Sequence, residues 1–258
     1  QVLKHIANQA RVQAAHMRLG TRTGSRRSGK AWRKILSDID DTTFQNPLSL
    51  LLRGHFPAGC DKRYPRKNVY PGVLDFYREM DLGVNGPSEW PSDQVGNLVF
   101  LSARPHLYKD MSEAKSYAKF KKLQDDKGLY TSPTLLAGSI DTGTKMLLTG
   151  NMGPVADKKL QACLLTSNFA EYVSLYPEFK HVFVGDNGQG DVKAAEMMVE
   201  RYPGSLEAVY MHRVMPEEKT FGYKDADTRR KWKVANIFFF GDYVEAACHA
   251  YKNGLIQA

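Results

Sequence analysis

The segment Ile35-Leu36-Ser37-Asp38-Ile39-Asp40-Asp41-Thr42 is the most informative part of this 258-residue chain. Its apolar beginning, Ile35 to Ser37, predicts a buried strand, and three carboxylates follow that strand directly. Carboxylates this close together raise one another's pKa, so the segment favours binding of a hard divalent cation such as Mg²⁺. The alternative is an Asp-rich turn with a helix N-cap at Thr42, but turns of this kind seldom follow a buried strand.

Short apolar runs continue through the chain and alternate with longer segments of helical period. The runs are Leu98 to Leu101, Thr134 to Ala137, Val182 to Val184 and Ala208 to Met211. The helical segments are Val73 to Asp81, Lys109 to Leu123, Lys159 to Tyr176 and Val192 to Tyr202. This alternation predicts an α/β fold: a doubly wound, Rossmann-like parallel sheet with helices on both faces. Ligands of such sheets lie at the carboxyl ends of the strands.

A second acidic segment follows the fourth predicted strand, which runs Val182-Phe183-Val184-Gly185-Asp186 and continues Asn187-Gly188-Gln189-Gly190-Asp191. Its glycines allow a tight turn in which Asp186 and Asp191 point at one ion. The first and fourth strands of a doubly wound sheet are neighbours, so we expect the two acidic segments to meet. Phe240-Gly241-Asp242 has a similar start but lacks the second Asp, and we predict that Asp242 is a helix N-cap.

The second predicted strand ends in Leu101-Ser102-Ala103-Arg104-Pro105. Ser102 offers a hydroxyl, and Arg104 a guanidinium, at the edge where a phosphate would lie between the carboxylates. Taken alone, this segment is equally compatible with a helix N-terminus that carries a proline in its first turn. The segment indicates a phosphate-binding role only in combination with the two acidic segments.

Four motifs together resemble the haloacid dehalogenase (HAD) phosphatase superfamily over roughly Ile35 to Met211. They are DxDxT after strand one, Ser after strand two, Lys on a helix before strand four, and Gly-Asp with a further Asp after strand four. The segments SDIDDT and LSARP more narrowly resemble the lipin-type and actin-patch-type phosphatidate phosphatases, whose substrate is a membrane lipid phosphate. The resemblance implies a Mg²⁺-dependent phosphomonoester hydrolase that acts on phosphatidate or a related lipid phosphate.

The resemblance also implies a role for each matching residue. Asp38 would attack phosphorus and form an aspartyl-phosphate, and Asp40 would act as the general acid and base. Ser102 would bind a phosphoryl oxygen. The metal would be held by Asp38, Asp186 and the backbone carbonyl of Asp40, and Asp191 would orient the metal shell.

A phosphate-binding lysine is expected on the helix before strand four. We favour Lys159 over the adjacent Lys158, although the stretch that follows is longer than the spacing usual in the family, and an exposed basic pair is the alternative. We further expect Thr42, Arg104 and Asn187 to contact the substrate.

The chain divides by composition into a basic N-terminal helix and linker, residues 1–34, and a HAD-like phosphatase domain, residues 35–258. Residues 1–37 contain nine Lys and Arg and no acidic residue, while the formal net charge of the whole chain is +8. An expected flap insertion, residues 43–70, joins an apolar part around Leu50 and Leu51 to a basic part that includes Lys62 and Arg63.

We hypothesise that the leader and the flap contact anionic lipid at a membrane surface. The alternative for the leader is a solvated tail. The alternative for the flap is that its leucines pack into the core and its basic residues are solvated. No basic stripe is interleaved with aromatic residues, so nucleic acid is not expected as a partner.

Other function classes fit the sequence less well. No apolar run approaches the roughly 20 residues of a membrane span. Cys60, Cys163 and Cys248 form no CxxC pair, which argues against zinc and against a disulfide framework. We expect a reducing compartment, with the chain cytoplasmic or peripheral at a membrane. A HAD phosphatase of a soluble substrate and a catalytically silent adaptor remain as alternatives. Dehalogenation is disfavoured because dehalogenases lack the Asp at the position of Asp40.

Overall fold

The computed structural model describes residues 32–39, 42, 61, 63, 68–84, 96–105, 109–138, 154–177 and 179–257. At residues 32, 102–105, 109–116, 137–138, 154–157 and 160 it describes the backbone alone. Asp40, residues 1–31 of the predicted leader and most of the predicted flap therefore lie outside the described residues.

Six parallel strands form one sheet in the order β3-β2-β1-β4-β5-β6. The strands are β1 (Trp32–Asp38), β2 (Leu98–Pro105), β3 (Thr134–Gly138), β4 (Phe179–Asp186), β5 (Leu206–His212) and β6 (Ile237–Phe240). All five predicted strands are present, each longer than its apolar run because the flanking residues continue the ladder. β6 adds a sixth strand that the sequence interpretation did not include.

The described residues also form six helices, of which five connect these strands and the last follows β6. They are α1 (Val73–Leu82), α2 (Lys109–Lys127), α3 (Pro154–Leu175), α4 (Asp191–Arg201), α5 (Ala226–Val234) and α6 (Tyr243–Lys252), with a short 3₁₀ turn at Glu217–Lys219. The four predicted helices match α1 to α4. α3 begins at Pro154, ahead of the predicted Lys159, and proline at the first helical position needs no backbone N–H partner.

Two apolar clusters cover the two faces of the sheet, because successive strand residues point to opposite sides. Ile35 packs with α1 and α6 on one face, and Leu36 packs with α3, α4 and Trp232 of α5 on the other. The central strands are buried almost throughout, as expected for a parallel sheet between helical layers. The doubly wound α/β fold with helices on both faces is confirmed.

β1 begins inside the segment that the sequence assigned to the basic leader. Arg33 donates to the carbonyl oxygens of Met80 (3.0 Å) and Leu255 (2.8 Å), so it ties β1 to the ends of α1 and the chain. Lys34 Nζ lies 4.4 Å from the ring centroid of Phe179 and donates to Asn97 Oδ1 at 3.1 Å. Two of the nine basic residues counted at the N-terminus are therefore part of the sheet.

Asp242 caps α6, as predicted: its side chain accepts a hydrogen bond from Glu245 N at 2.9 Å. Asp225 caps α5 in the same way through Thr228 N at 3.0 Å. Within the described ranges, no helix combines the length and apolarity that crossing a bilayer requires.

Candidate active site

The strand order reverses between β1 and β4, and this topological switch point is where open α/β sheets bind ligands. Asp38 ends β1, Asp186 ends β4, and Asp191 is the first residue of α4. One carboxylate oxygen from each lies within 4.8 Å of the other two, and all three residues are buried. The two acidic segments thus meet as the sequence predicted.

The three carboxylates of this Asp38–Asp186–Asp191 triad repel one another strongly when ionised. At 4.8 Å, each pair of unit charges costs on the order of 3 kcal/mol in a medium with an effective dielectric constant near 20. Burial removes the water that would otherwise screen them. The triad therefore needs a counter-charge, and a set of carboxylate oxygens without nitrogen or sulfur suits a hard cation such as Mg²⁺.

Hydrogen bonds within the turn after β4 hold the two acidic side chains in place. Asp186 N donates to Asp191 Oδ2 at 3.0 Å, and Gly188 N donates to Asp186 Oδ1 at 2.6 Å. Gly185 lies so near this turn that a Cβ on it would be 2.7 Å from Asp191 Oδ2. The glycine before Asp186 is thus required for the close approach of the carboxylates.

α3 supports the same turn from the side. Gly190 N donates to Gln161 Oε1 at 3.0 Å, and Gln161 Nε2 donates to Gln189 Oε1 at 2.9 Å. A Cβ on Gly190 would clash with the carbonyl oxygen of Lys158. Sequence reasoning missed Gln161, because nothing in the pattern around it differs from an ordinary half-exposed helix position.

The turn after β1 is supported by two tyrosines. Ser37 Oγ lies 2.7 Å from Asp38 O and 2.6 Å from the Tyr77 hydroxyl, and Tyr243 donates its hydroxyl proton to Thr42 O at 2.8 Å. Burial, followed by the nearby Tyr77, Tyr70 and Asp186 groups, raises the pKa of Tyr243 well above its ordinary value. Its hydroxyl therefore stays protonated and remains a donor to Thr42.

A comparison with known families identifies the chain. The sequence profile of the catalytic domain of phosphatidate phosphatase APP1 matches residues 33–213, which is more than two thirds of the chain and spans β1 to β5 with the whole triad. The chain belongs to this family. No curated protein and no solved structure matches it. The narrower resemblance drawn from SDIDDT and LSARP is confirmed, and the chain is a phosphatase of the phosphatidate phosphatase type.

The other predicted site residues of the phosphatase are described only in part. Asp38 pairs with Leu101 between β1 and β2, which places the backbone of Ser102 one residue beyond, toward the carboxyl end. The side chains of Ser102 and Arg104, and all of Asp40, lie outside the described residues. Thr42 is fully buried, and among the described residues its Oγ1 has no hydrogen-bond partner.

Asn187 has a different set of contacts from the one expected. Its side-chain amide donates to Met215 O and Thr220 Oγ1, and its Oδ1 accepts from Val214 N and Met215 N, all at 2.9 to 3.2 Å. These four bonds use both amide protons and both lone pairs. Asn187 therefore holds the loop after β5 against the turn from Asp186 to Asp191, and we leave it out of the substrate site.

The two candidate lysines differ in exposure. Lys159 is exposed, whereas Lys158 is half-buried and its backbone carbonyl lies against Gly190, next to Asp191. This arrangement favours Lys158, whereas the sequence pattern had favoured Lys159.

A cluster that sequence reasoning did not assemble lies beside the triad. Asp61 is 3 % exposed and pairs with Arg63, while the Tyr70 hydroxyl donates to Asp61 Oδ2 at 2.9 Å. Burial on its own would raise the pKa of Asp61, but the hydrogen bonds from Arg63 and Tyr70 lower it below the ordinary value. Arg63 Nη2 also lies 3.1 Å from Nε2 of the buried His212, the last residue of β5.

Proposed function

We propose that this chain is a Mg²⁺-dependent phosphatidate phosphatase that works through a phosphorylated Asp38. The observation that carries the proposal is the buried Asp38–Asp186–Asp191 triad at the switch point of the sheet, in a chain of the phosphatidate phosphatase family. Three ionised carboxylates at this spacing are stable only beside positive charge.

Asp38, Asp186 and Asp191 would hold the cation, together with the backbone carbonyl of Asp40. When bound, Mg²⁺ neutralises the carboxylates and the negative charge of the phosphoryl oxygens. The hydrogen bonds from Gly188 and from the Asp186 amide to the turn carboxylates keep these ligands oriented.

The chemistry proceeds in two steps on the protein's own carboxylates. An oxygen of Asp38 attacks phosphorus, and the bond from phosphorus to the glycerol oxygen breaks as Asp40 gives that oxygen a proton. A water molecule then attacks the phosphorus of the aspartyl-phosphate, and Asp40 takes a proton from it. Inorganic phosphate leaves and Asp38 is regenerated.

Three further groups would bind the phosphoryl oxygens: the Ser102 hydroxyl, the Arg104 guanidinium and the Lys158 ammonium. β2 brings Ser102 and Arg104 to the carboxyl edge beside Asp38, and α3 brings Lys158 beside the turn that holds Asp191. Phosphoryl transfer depends mainly on such positioning and on charge neutralisation.

We further propose that the enzyme meets its lipid substrate at a membrane surface through the basic leader and the flap. The excess of Lys and Arg in residues 1–37 suits anionic headgroups, and the leucines of residues 43–70 suit acyl chains.

Phosphate release tests the activity. The chain and an Asp38→Asn variant are assayed on phosphatidate in mixed micelles and on para-nitrophenyl phosphate, with Mg²⁺ and with a chelator. We expect release from phosphatidate that requires both Mg²⁺ and Asp38. Release from the soluble ester alone would keep the mechanism and remove the lipid assignment.

The covalent step has its own test. Acid quenching of the enzyme during turnover of ³²P-labelled phosphatidate should leave label on the protein that hydroxylamine removes, as expected for an acyl phosphate. Asp38→Asn should retain no label. Label that withstands hydroxylamine would assign the phosphoryl group to another type of side chain.

A further inference from the structure

Arg63 is fixed by a buried cluster that no step of the proposed mechanism uses. The guanidinium edge formed by Nε and Nη2 faces both Asp61 oxygens at 2.9 to 3.2 Å, and Arg63 N donates to Asp61 Oδ1 at 2.9 Å. The Asp61 side chain is 1 % exposed, whereas that of Arg63 is 46 % exposed. The acid is therefore the anchor, and the arginine presents part of its side chain to solvent.

His212 fixes the same guanidinium from the sheet. An arginine has no acceptor, so the 3.1 Å contact requires His212 Nε2 to be the acceptor and its ring to be neutral, with the proton on Nδ1. Tyr70 holds the ring edge-on at 4.6 Å between centroids, and Phe240 stacks on it at 5.2 Å. These two contacts restrict the His212 ring, and the ring in turn restricts the Arg63 guanidinium.

The position of the cluster relative to the triad indicates what Arg63 can reach. His212 at the end of β5 pairs with Asp186 at the end of β4, so Arg63 lies at the carboxyl edge of the sheet. The turn from Asp186 to Asp191 lies between Arg63 and β2. β5 is two strand spacings from β1, roughly 10 Å. That distance is too long for the phosphoryl group at Asp38, but suits the part of the substrate a few bonds beyond the phosphorus.

We propose that Arg63 is a specificity-determining residue that hydrogen-bonds the glycerol-ester oxygens of phosphatidate, with Asp61 and His212 as its positioning residues. The inference rests on the proposed function and adds recognition of the part of the substrate that departs. A guanidinium already held by two buried partners loses little side-chain entropy when it binds substrate, which is why such anchoring favours specificity.

The test compares two lipids presented in the same micelles: phosphatidate and its dialkyl ether analogue, which lacks the ester carbonyl oxygens. The wild-type chain should prefer the ester by about tenfold in kcat/KM, the value expected for one charge-assisted hydrogen bond. Arg63→Gln should act on both lipids at nearly the same rate. Para-nitrophenyl phosphate, which has no glycerol ester, should change less than about twofold in this variant.

Arg78→Gln is the matched control, since Arg78 is 43 % exposed and paired with carboxylates, as Arg63 is. This variant should keep the ester preference. Because Arg63→Gln leaves Asp61 as a buried charge, the double variant Asp61→Asn/Arg63→Gln removes that charge as well. Thermal unfolding of both variants shows whether the fold is intact, and the double variant should show the same loss of preference.

His212 is tested through Arg63. His212→Phe keeps an aromatic ring but removes the acceptor, and should reduce the ester preference mainly by raising KM for the ester. His212→Gln restores an acceptor and should recover part of the preference. Adding His212→Phe to Arg63→Gln should cause no further loss, because His212 acts only through Arg63.

The two failures are distinguishable. No hydrolysis of either lipid by the wild-type chain would overturn the proposed function and this inference with it. Hydrolysis of phosphatidate with an ester preference that survives Arg63→Gln, or with no preference in the wild type, would overturn the inference alone. Equal losses on the lipids and on the aryl phosphate would place Arg63 at the phosphoryl group instead.

Discussion

Gly185 and Gly241 each precede the Asp of a Gly-Asp segment, Gly185 as the last residue but one of β4 and Gly241 directly after β6. Their surroundings differ at the level of single atoms. A Cβ on Gly185 would come within 2.8 Å of the Asp191 side chain, whereas on Gly241 it would lie in ordinary contact, 3.4 Å from Glu245 Oε2. The similarity between the two segments is thus confined to sequence.

This difference predicts the effect of adding one methyl group. Gly185→Ala should displace Asp191 and weaken Mg²⁺ binding by about 10- to 100-fold, as is typical when the residues that orient metal ligands are disturbed. Gly241→Ala is the matched control and should stay within about twofold of the wild type. Titration of activity against Mg²⁺ concentration measures both, and equal effects of the two variants would contradict the assignment of the metal turn.

The two adjacent lysines of α3 give a second prediction at this scale. Lys158→Ala should lower kcat/KM by about 100-fold, because a charge on the transferring phosphoryl group would be lost, while Lys159→Ala should change it less than about twofold. Steady-state kinetics on phosphatidate measure both values. The reverse order would restore Lys159, the residue that the sequence favoured.

At the scale of the element, β4 carries Asp186 at its carboxyl end and a buried histidine within the strand. His181 is fully buried, its ring contacts Phe169 and Tyr172 of α3, and its Nδ1 lies 3.3 Å from Ser205 O. The pKa of His181 is lowered to about 4, mainly by burial. The hydrogen bond with Ser205 opposes this shift, and the positive charges of Lys34 and Lys180 contribute to it.

The sign of the pH effect follows from this shift. The unfolded chain binds a proton at His181 below pH about 6.5, whereas the folded chain does so only below about 4. The stabilisation is therefore present above pH 6.5 and is lost as the pH falls toward 4, by on the order of 3 kcal/mol. His181→Phe should remove this part of the acid sensitivity. Urea unfolding at pH 7 and pH 4.5 measures it, and a wild-type-to-variant difference that is independent of pH would refute the prediction.

On the scale of the whole molecule, the triad predicts that stability depends on a bound cation. Mg²⁺ at about 100 times its Kd should stabilise the folded chain by about 2.7 kcal/mol and raise its unfolding temperature. Asp186→Asn removes one of the three negative charges and keeps the Oδ1 that accepts from Gly188. In chelator this variant should be at least as stable as the wild type, and Mg²⁺ should stabilise it less. Thermal unfolding without substrate measures this independently of activity.

The leader and the flap give a prediction about the surface at which the enzyme works. Removal of residues 1–30, or the double change Leu50→Ser/Leu51→Ser, should lower turnover on anionic vesicles by about 10-fold or more and spare para-nitrophenyl phosphate. The truncation removes basic residues that each contribute about 1 kcal/mol at an anionic membrane, and the double change removes apolar side chains that would enter the acyl region. The truncation does not remove Arg33 or Lys34, which belong to β1. Equal losses on both substrates would indicate a folding defect and argue against membrane contact.

The α/β architecture and the meeting of the two acidic segments could be predicted from the amino-acid sequence alone. Apolar runs alternating with helical segments admit few topologies, and in a doubly wound sheet the first and fourth strands lie side by side. Asp38, Asp186 and Asp191 could therefore be placed together without coordinates. β6 and α5 were missed for local reasons: β6 has only four residues, and α5 buries only Thr228 and Trp232 on an otherwise polar surface.

The partners of the remaining side chains could be identified only from the three-dimensional structure. Arg63 and His212 are 149 residues apart, and Gln161 and Gly190 are 29 apart, yet each pair is joined by a hydrogen bond. The same holds for Asn187, whose amide is taken up by a loop that begins 27 residues later. Hydrophobic periodicity indicates only which face of an element is buried. It carries no record of which polar groups from distant segments are brought within about 3 Å of each other when the layers pack.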